Sequence, residues 1–320
     1  MDKSKNNLQI FLPRSSSAAI RDGYRLFMGN FRKIFRASWI AALAYAITAG
    51  ILTSIYISQM PQLVILSIMG QSAPQQMIMQ SAFISLVLCG GGLLFAMIVA
   101  VLLSYAIAAF TEHQATGAIS PVKRWYGQLN TNALWSTVKL LLWMLLIDIV
   151  LSLLLTGVIF VAKRYLGNIA GLSLIGLTTL ALLALMLPLA YTNMKYLLTP
   201  KAHFVPTQLK SYATGMRHWG GLFIVALIVG LVTLLLVLIT ELPATILMAA
   251  NVQSQMGMLQ GDPVGMPSYM SVLNLVVFAI AGFIQAYIHL SMLFPLYYFY
   301  GSIEAQEKER KAPTLIHDDL

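Results

Sequence analysis

A chain of 320 residues that is 58% hydrophobic and only 10% charged, with a mean hydropathy of +0.78, lies outside the soluble globular class, whose members carry about 25% charged residues. Apolar runs and their connections use nearly all of that length, which leaves no room for a separate soluble catalytic domain. The formal net charge of +9 does not point to nucleic acid, because the basic residues flank apolar runs, where the positive-inside rule and anionic lipid account for them.

Residues 1–17 read as a polar N-terminal tail. It has no uninterrupted apolar region ahead of a small-residue cleavage site, so the first span is expected to stay as an uncleaved helix. Ser15, Ser16 and Ser17 supply an N-cap for a helix beginning near Ala18. Tyr24, Phe27, Met28 and Phe31 then fall at i, i+3, i+4 and i+7, with Arg21, Arg25, Arg32, Lys33 and Arg36 mostly off that stripe and Trp39 closing the segment. Basic and aromatic residues in this pattern predict an interfacial helix at the headgroup boundary, in preference to a solvated helix packed on its own bundle.

From there the hydropathy predicts six spans at about 38–57, 82–110, 134–161, 169–198, 220–250 and 271–300, each long enough for about 30 Å of hydrocarbon, in one transmembrane domain of residues 18–300. A charged tail, 301–320, follows. The connection MPQLVILSIMGQSAPQQMIMQS reads as an outer loop without charge, and Gly90, Gly91 and Gly92 as a packing surface in span 2. After Ser120 and Pro121 the lead-in pattern returns in Val122, Trp125, Tyr126 and Leu129, with Lys123 and Arg124 beside it and Trp135 ahead of span 3. A third copy, Leu209, Tyr212, Ala213 and Met216, carries Lys210 and Arg217 and leads to Trp219 and span 5. In the tail, Glu304 with Lys308 and Glu307 with Lys311 are spaced for i, i+4 pairs.

Met186–Tyr191 in span 4 and Met292–Tyr297 in span 6 share a proline-centred motif that span 2 lacks. Together the repeats predict an all-α polytopic membrane protein of three parallel hairpin units, each an interfacial helix, an outward span and a returning span. Eight basic residues precede span 1, and Lys123, Arg124, Lys195, Lys201, Lys210, Arg217, Lys308, Arg310 and Lys311 fall on the same side, against Lys163 and Arg164 on the other. The expected location is the plasma (inner) membrane, with both termini cytoplasmic.

The lead-in YRLFMGNFRKIF ahead of a span, and the recurrence of such units, resemble a group of bacterial six-helix inner-membrane proteins that includes the membrane domain of membrane-anchored glycerophosphodiester phosphodiesterases. The resemblance implies a six-helix membrane module. It carries over no catalytic residue, since the phosphodiesterase domain is not part of this sequence.

Asp148 is the residue to test for function, because a carboxylate in mid-span is costly. Counted from the inner ends at 1.5 Å per residue, it lies roughly 21 Å up span 3 and Gln285 roughly 22 Å up span 6, with His289 a turn lower. These three could hold a proton, a cation or a polar headgroup; the plainer reading is a carboxyl that fixes helix packing. Glu241, beside Pro243 near the outer interface, reads as structural. Met77 with Met79 and Met256 with Met258 offer thioethers for Cu(I), yet the loops that hold them lack Cys and His, so apolar filling is the plainer reading and no metal or cofactor is assigned. Cys89 is the sole cysteine, which rules out an intramolecular disulfide. His113, His203 and His218 show no ligand spacing and read as solvated. Asp22 and Gly23 resemble the start of a phosphatidyltransferase signature, but the downstream aspartates are missing. The expectation is therefore a non-enzymatic accessory or membrane-organising protein that contacts anionic lipid at the cytoplasmic face, without nucleic acid; a small transporter or channel using Asp148 is the alternative. Protein partners and oligomeric state are left unassigned.

Overall fold

The first helix begins where the sequence offers a cap. The Ala18 amide donates to Ser15 Oγ at 3.3 Å and the Ala19 amide to the Ser15 carbonyl at 3.0 Å, which satisfies amides that a helix start would leave bare. In the computed structural model, which describes residues 10–69, 74–119, 131–199, 202–259, 261, 267 and 269–311, seven helices follow in order. They are α1 (Ser16–Met69), α2 (Gln75–Thr116), α3 (Thr131–Tyr165), α4 (Asn168–Leu198), α5 (Phe204–Arg217), α6 (Trp219–Leu259) and α7 (Met270–Lys311). No strand occurs among the described residues. All but α5 are long and apolar enough to cross a membrane. Leu86, Leu153, Leu172 and Leu177 stand exposed on them, as suits lipid as the solvent. The chain is an all-α, multi-pass membrane protein.

Several helices outrun the spans read from hydropathy. The 54 residues of α1 extend about 81 Å at 1.5 Å per residue, so the first lead-in and the first span form one continuous helix. The charge-free connection after it is helical as far as Met69 and again from Gln75. Met77 and Met79 therefore sit on a helix, as do Met256 and Met258, and at i, i+2 their side chains point about 200° apart, which removes the paired geometry a Cu(I) site needs. The second lead-in, Val122–Leu129, lies outside the described residues. The third is the separate helix α5.

The chain divides into two units. The first comprises Met1–Ile34, Ser104–Leu231 and Ser291–Leu320. Its core is aromatic: Phe110 stacks on Tyr297 with centroids 4.3 Å apart and meets Phe294 edge-on at 4.8 Å, and Phe27 meets Phe294 at 5.1 Å. The two returning-span prolines organise this unit. Gly23 of α1 lies directly against the Pro295 backbone of α7, and Gly215 of α5 approaches the Pro188 carbonyl of α4 so closely that a Cβ there would sit 2.9 Å from it. Pro188 has no amide hydrogen, which leaves the Ala184 carbonyl without its helical donor. The Trp219 indole donates to that carbonyl at 2.9 Å, and the Tyr212 hydroxyl donates to the neighbouring Leu185 carbonyl at 2.8 Å. Each described lead-in thus packs on the returning span of the hairpin before it in cyclic order: the third on span 4, the first on span 6.

The second unit comprises Phe35–Leu103 and Val232–Leu290. Here α1 and α7 approach through small residues, Ala46, Ala49 and Gly50 against Leu275, Ala279 and Gly282. A Cβ on Gly50 would sit 3.1 Å from the Ala279 nitrogen, and one on Gly282 would sit 3.3 Å from the Ala46 Cα. Backbone approach of this kind is how helices associate where lipid removes the hydrophobic drive. Of the three consecutive glycines in α2, Gly91 alone packs, against Leu52, while Gly90 and Gly92 face open space.

Candidate functional site

The first unit contains a cavity of about 740 Å³, walled by Phe11 of the N-terminal arm, the last turns of α4, Thr214 of α5 and the charged end of α7. The arm is held before it reaches the cavity. The Arg14 amide donates to Ser302 Oγ at 2.8 Å, Ser302 Oγ donates to the Arg14 carbonyl at 3.0 Å, and the guanidinium lies 5.0 Å from the centre of the Tyr298 ring. Arg14 also pairs with Asp22 at 3.4 Å, and both side chains are more than nine-tenths buried. Residues 10–15 of the expected polar tail thus form a strap on α7. Asp22 and Gly23, which resemble the start of an enzyme signature, are engaged here in an ion pair and a helix contact.

Tyr191 and Lys195 are one helical turn apart on α4 and reach the same carboxylate. The Tyr191 hydroxyl donates to Glu304 Oε1 at 2.5 Å, and Lys195 Nζ donates to that oxygen at 2.8 Å and to the Tyr191 hydroxyl at 3.2 Å. A turn further along α7, Glu307 accepts from Arg217 at 3.0 Å, His218 at 3.2 Å and Arg310 at 2.8 Å. Its side chain is 8% exposed while the two guanidiniums are half exposed. The apolar run of α7 ends at Tyr300, so this charged turn lies beyond the membrane-spanning segment. Burial pushes the Glu307 carboxyl up, but the hydrogen bonds from Arg310, Arg217 and His218 outweigh it and hold the group at about 2. Glu307 is therefore ionised throughout the physiological range.

These pairings replace the expected ones. Glu304 and Glu307 take partners from α4, α5 and the α5–α6 junction in place of Lys308 and Lys311, which therefore line the cavity without a carboxylate partner among the described residues. Nor are two of the histidines solvated as their spacing suggests. His113 is 2% exposed and its Nδ1 lies 3.0 Å from the Tyr297 hydroxyl, which itself donates to the Phe110 carbonyl, so Nδ1 carries the hydrogen; His218 joins Glu307. His203 is exposed.

A scan of protein-family models, a search of curated proteins and a search of solved structures each return no match. The residues themselves carry the reading.

On α5 the apolar stripe is found where periodicity puts it, but turned outward. Gln208, Ser211 and Gly215 are buried, Gln208 donating to Asn193 of α4 at 3.2 Å, while Val205, Leu209 and Met216 are exposed beside Lys210. On α1, Phe27 is buried with the core, whereas Met28, Phe31, Phe35 and Trp39 stand exposed among Arg21, Arg25, Arg32 and Arg36. Lys33 is turned inward and donates to the Ile119 carbonyl at 2.6 Å. Trp135 is exposed with the Lys139 ammonium 5.8 Å from its ring centre. Lys123 and Arg124 lie outside the described residues.

Asp148 belongs to the first unit, where it stands exposed on α3 among Leu145, Leu146 and Ile149. Gln285 and His289 belong to the second. There Gln285 Nε2 donates to Glu241 Oε1 at 2.5 Å, a partner that hydropathy and spacing did not suggest; His289 is exposed. Among the described residues, no group of three or more His, Cys, Asp or Glu side chains is placed to hold a metal ion.

Proposed function

We propose that this chain is a non-enzymatic protein of a bacterial inner membrane, with both termini cytoplasmic, which holds anionic lipid headgroups at its cytoplasmic surface and serves as an accessory or membrane-organising module. The observation that carries this reading is the orientation of α5. A helix that buries Gln208, Ser211 and Gly215 and exposes Val205, Leu209 and Met216 suits a surface that is apolar on its outer side. Lys210 on the same helix, and the exposed arginines of α1, supply cations, each contributing about 1 kcal/mol toward anionic lipid. The likeness of YRLFMGNFRKIF to the lead-ins of the six-helix membrane domain supports the inner-membrane placement.

Two measurements test it. Reporter fusions at Ser72 and Gly261 are expected to read as external, and a cytoplasmic signal at either position overturns the orientation. Replacing Arg21, Arg25, Arg32 and Arg36 together by Gln is expected to lower the share of anionic lipid that leaves the membrane with polymer-extracted protein roughly tenfold or more, given four cations of about 1 kcal/mol each. An unchanged lipid profile at normal folding rules out the surface role.

The alternative, a small transporter or channel, rests on Asp148 standing among exposed leucines, where an ion is costly. If it carries a coupled ion, Asp148→Asn abolishes flux while the protein remains folded; unchanged flux eliminates that role.

A further inference from the structure

We infer that the cavity at the ends of α4 and α7 is a binding site for a phosphate group, carried either by a membrane phospholipid or by a small soluble phosphoester. It goes beyond the surface reading above by assigning a discrete site, and rests on that reading only for the lipid as source.

Size allows it, since 740 Å³ lies within the range of about 300–1,000 Å³ for small-molecule sites. Charge selects the ligand. Glu304 is already occupied by Tyr191 and Lys195, and Glu307 by Arg217, His218 and Arg310. The carboxylates that should neutralise Lys308 and Lys311 are thus used internally, and both residues line the cavity. Glu309 alone of the acidic lining residues has no basic partner among the described residues. Lysines at the end of α7 would also be favoured by its helix dipole. A solvated helix end, however, requires no concavity and no second helix contributing a lysine, whereas here α4 brings Lys195 and α5 brings the Thr214 hydroxyl to the same space. The Lys308 and Lys311 ammoniums, with Thr214 beside them, form a donor set suited to a tetrahedral oxyanion, with Phe11 and Ala305 as apolar wall for whatever the phosphate is attached to.

The test uses the full chain in nanodiscs of equal parts phosphatidylcholine and phosphatidylglycerol, with native mass spectrometry for retained lipid and calorimetric titration with glycerol 3-phosphate for a soluble ligand. Lys308 and Lys311 are exposed, so Lys308→Gln with Lys311→Gln is expected to keep the melting temperature. Wild type retains phosphatidylglycerol, the double Gln variant loses roughly tenfold or more in occupancy, and the double Arg variant keeps it. Glycerol 3-phosphate binding with the same lysine dependence, without retained phosphatidylglycerol, upholds the site and assigns it a soluble source. The α1 arginine variants decide the surface reading separately, because they do not touch this cavity. No binding of either probe to wild type, or equal binding by the double Gln variant, overturns the proposal.

Discussion

Gly23→Ala is expected to cost on the order of 3 kcal/mol or more, placing it at the upper end of overpacking substitutions, while Gly29→Ala only six residues later leaves stability unchanged or raises it by about 0.5–1 kcal/mol. Both glycines lie in α1, so helix propensity favours alanine equally. What differs is the space outside the helix. A Cβ on Gly29 meets nothing within 4 Å, whereas one on Gly23 meets the Pro295 backbone and lies 2.7 Å from the Phe294 carbonyl carbon. A flexible side-chain end could swing aside; a proline in mid-helix cannot. To admit the methyl group, α1 has to move away from α7, and this separates Phe27 from Phe294, whose ring contacts Phe110 and through it Tyr297. Gly215→Ala, against the Pro188 carbonyl at 2.9 Å, is expected to fall between the two. Thermal unfolding of the three variants in one detergent gives the order, and indistinguishable curves for Gly23→Ala and Gly29→Ala would remove the glycine-on-proline contact as the organising feature of this unit.

That contact also shows where reading the sequence stops. Six apolar runs longer than a bilayer is thick are visible residue by residue, so the number of spans and the fold class follow from composition alone. The lead-ins and prolines are visible as repeats, but their relation is not. Nothing local to Pro188 announces that Trp219, far along the chain, will donate to the carbonyl that proline strands. Periodicity finds the apolar stripe of α5 without saying which way it faces, since that depends on Asn193 offering a partner to Gln208. The join between the first lead-in and span 1 contains no glycine or proline in RASWIAAL, so its continuity as one helix is legible in the sequence. The cavity was the least legible feature. Lysines spaced i, i+4 from glutamates look satisfied on the helix, but Tyr191, Lys195, Arg217 and His218, each more than 85 residues away, divert those glutamates together with the local Arg310.

Asp22→Ala is expected to cost about 3–5 kcal/mol, because it removes the carboxylate 3.4 Å from a guanidinium that is more than nine-tenths buried. Arg14 is 7% exposed, and its ties to the Ile10 carbonyl at 2.9 Å and to the Tyr298 ring bring no negative charge of the kind Asp22 supplies. Arg21 contacts the same carboxylate at 3.3 Å but is 68% exposed, so Arg21→Gln is expected to change stability by no more than about 1 kcal/mol. Arg14→Leu combined with Asp22→Ala removes both charges, and the pair is expected to recover about 1–3 kcal/mol relative to the sum of the single changes. The single Asp22 variant should also free the strap. The guanidinium that loses this carboxylate sits on the same residue whose backbone is joined to Ser302, so residues 10–15 gain exposure to protease, and Phe11 leaves the cavity wall. Limited proteolysis with chemical denaturation separates the outcomes. Cleavage ahead of Ser15 together with a large loss of stability fits a buried ion pair that anchors the strap, whereas an effect as small as that of Arg21→Gln would mean that Ser302 and Tyr298 hold the arm and that the pair is incidental.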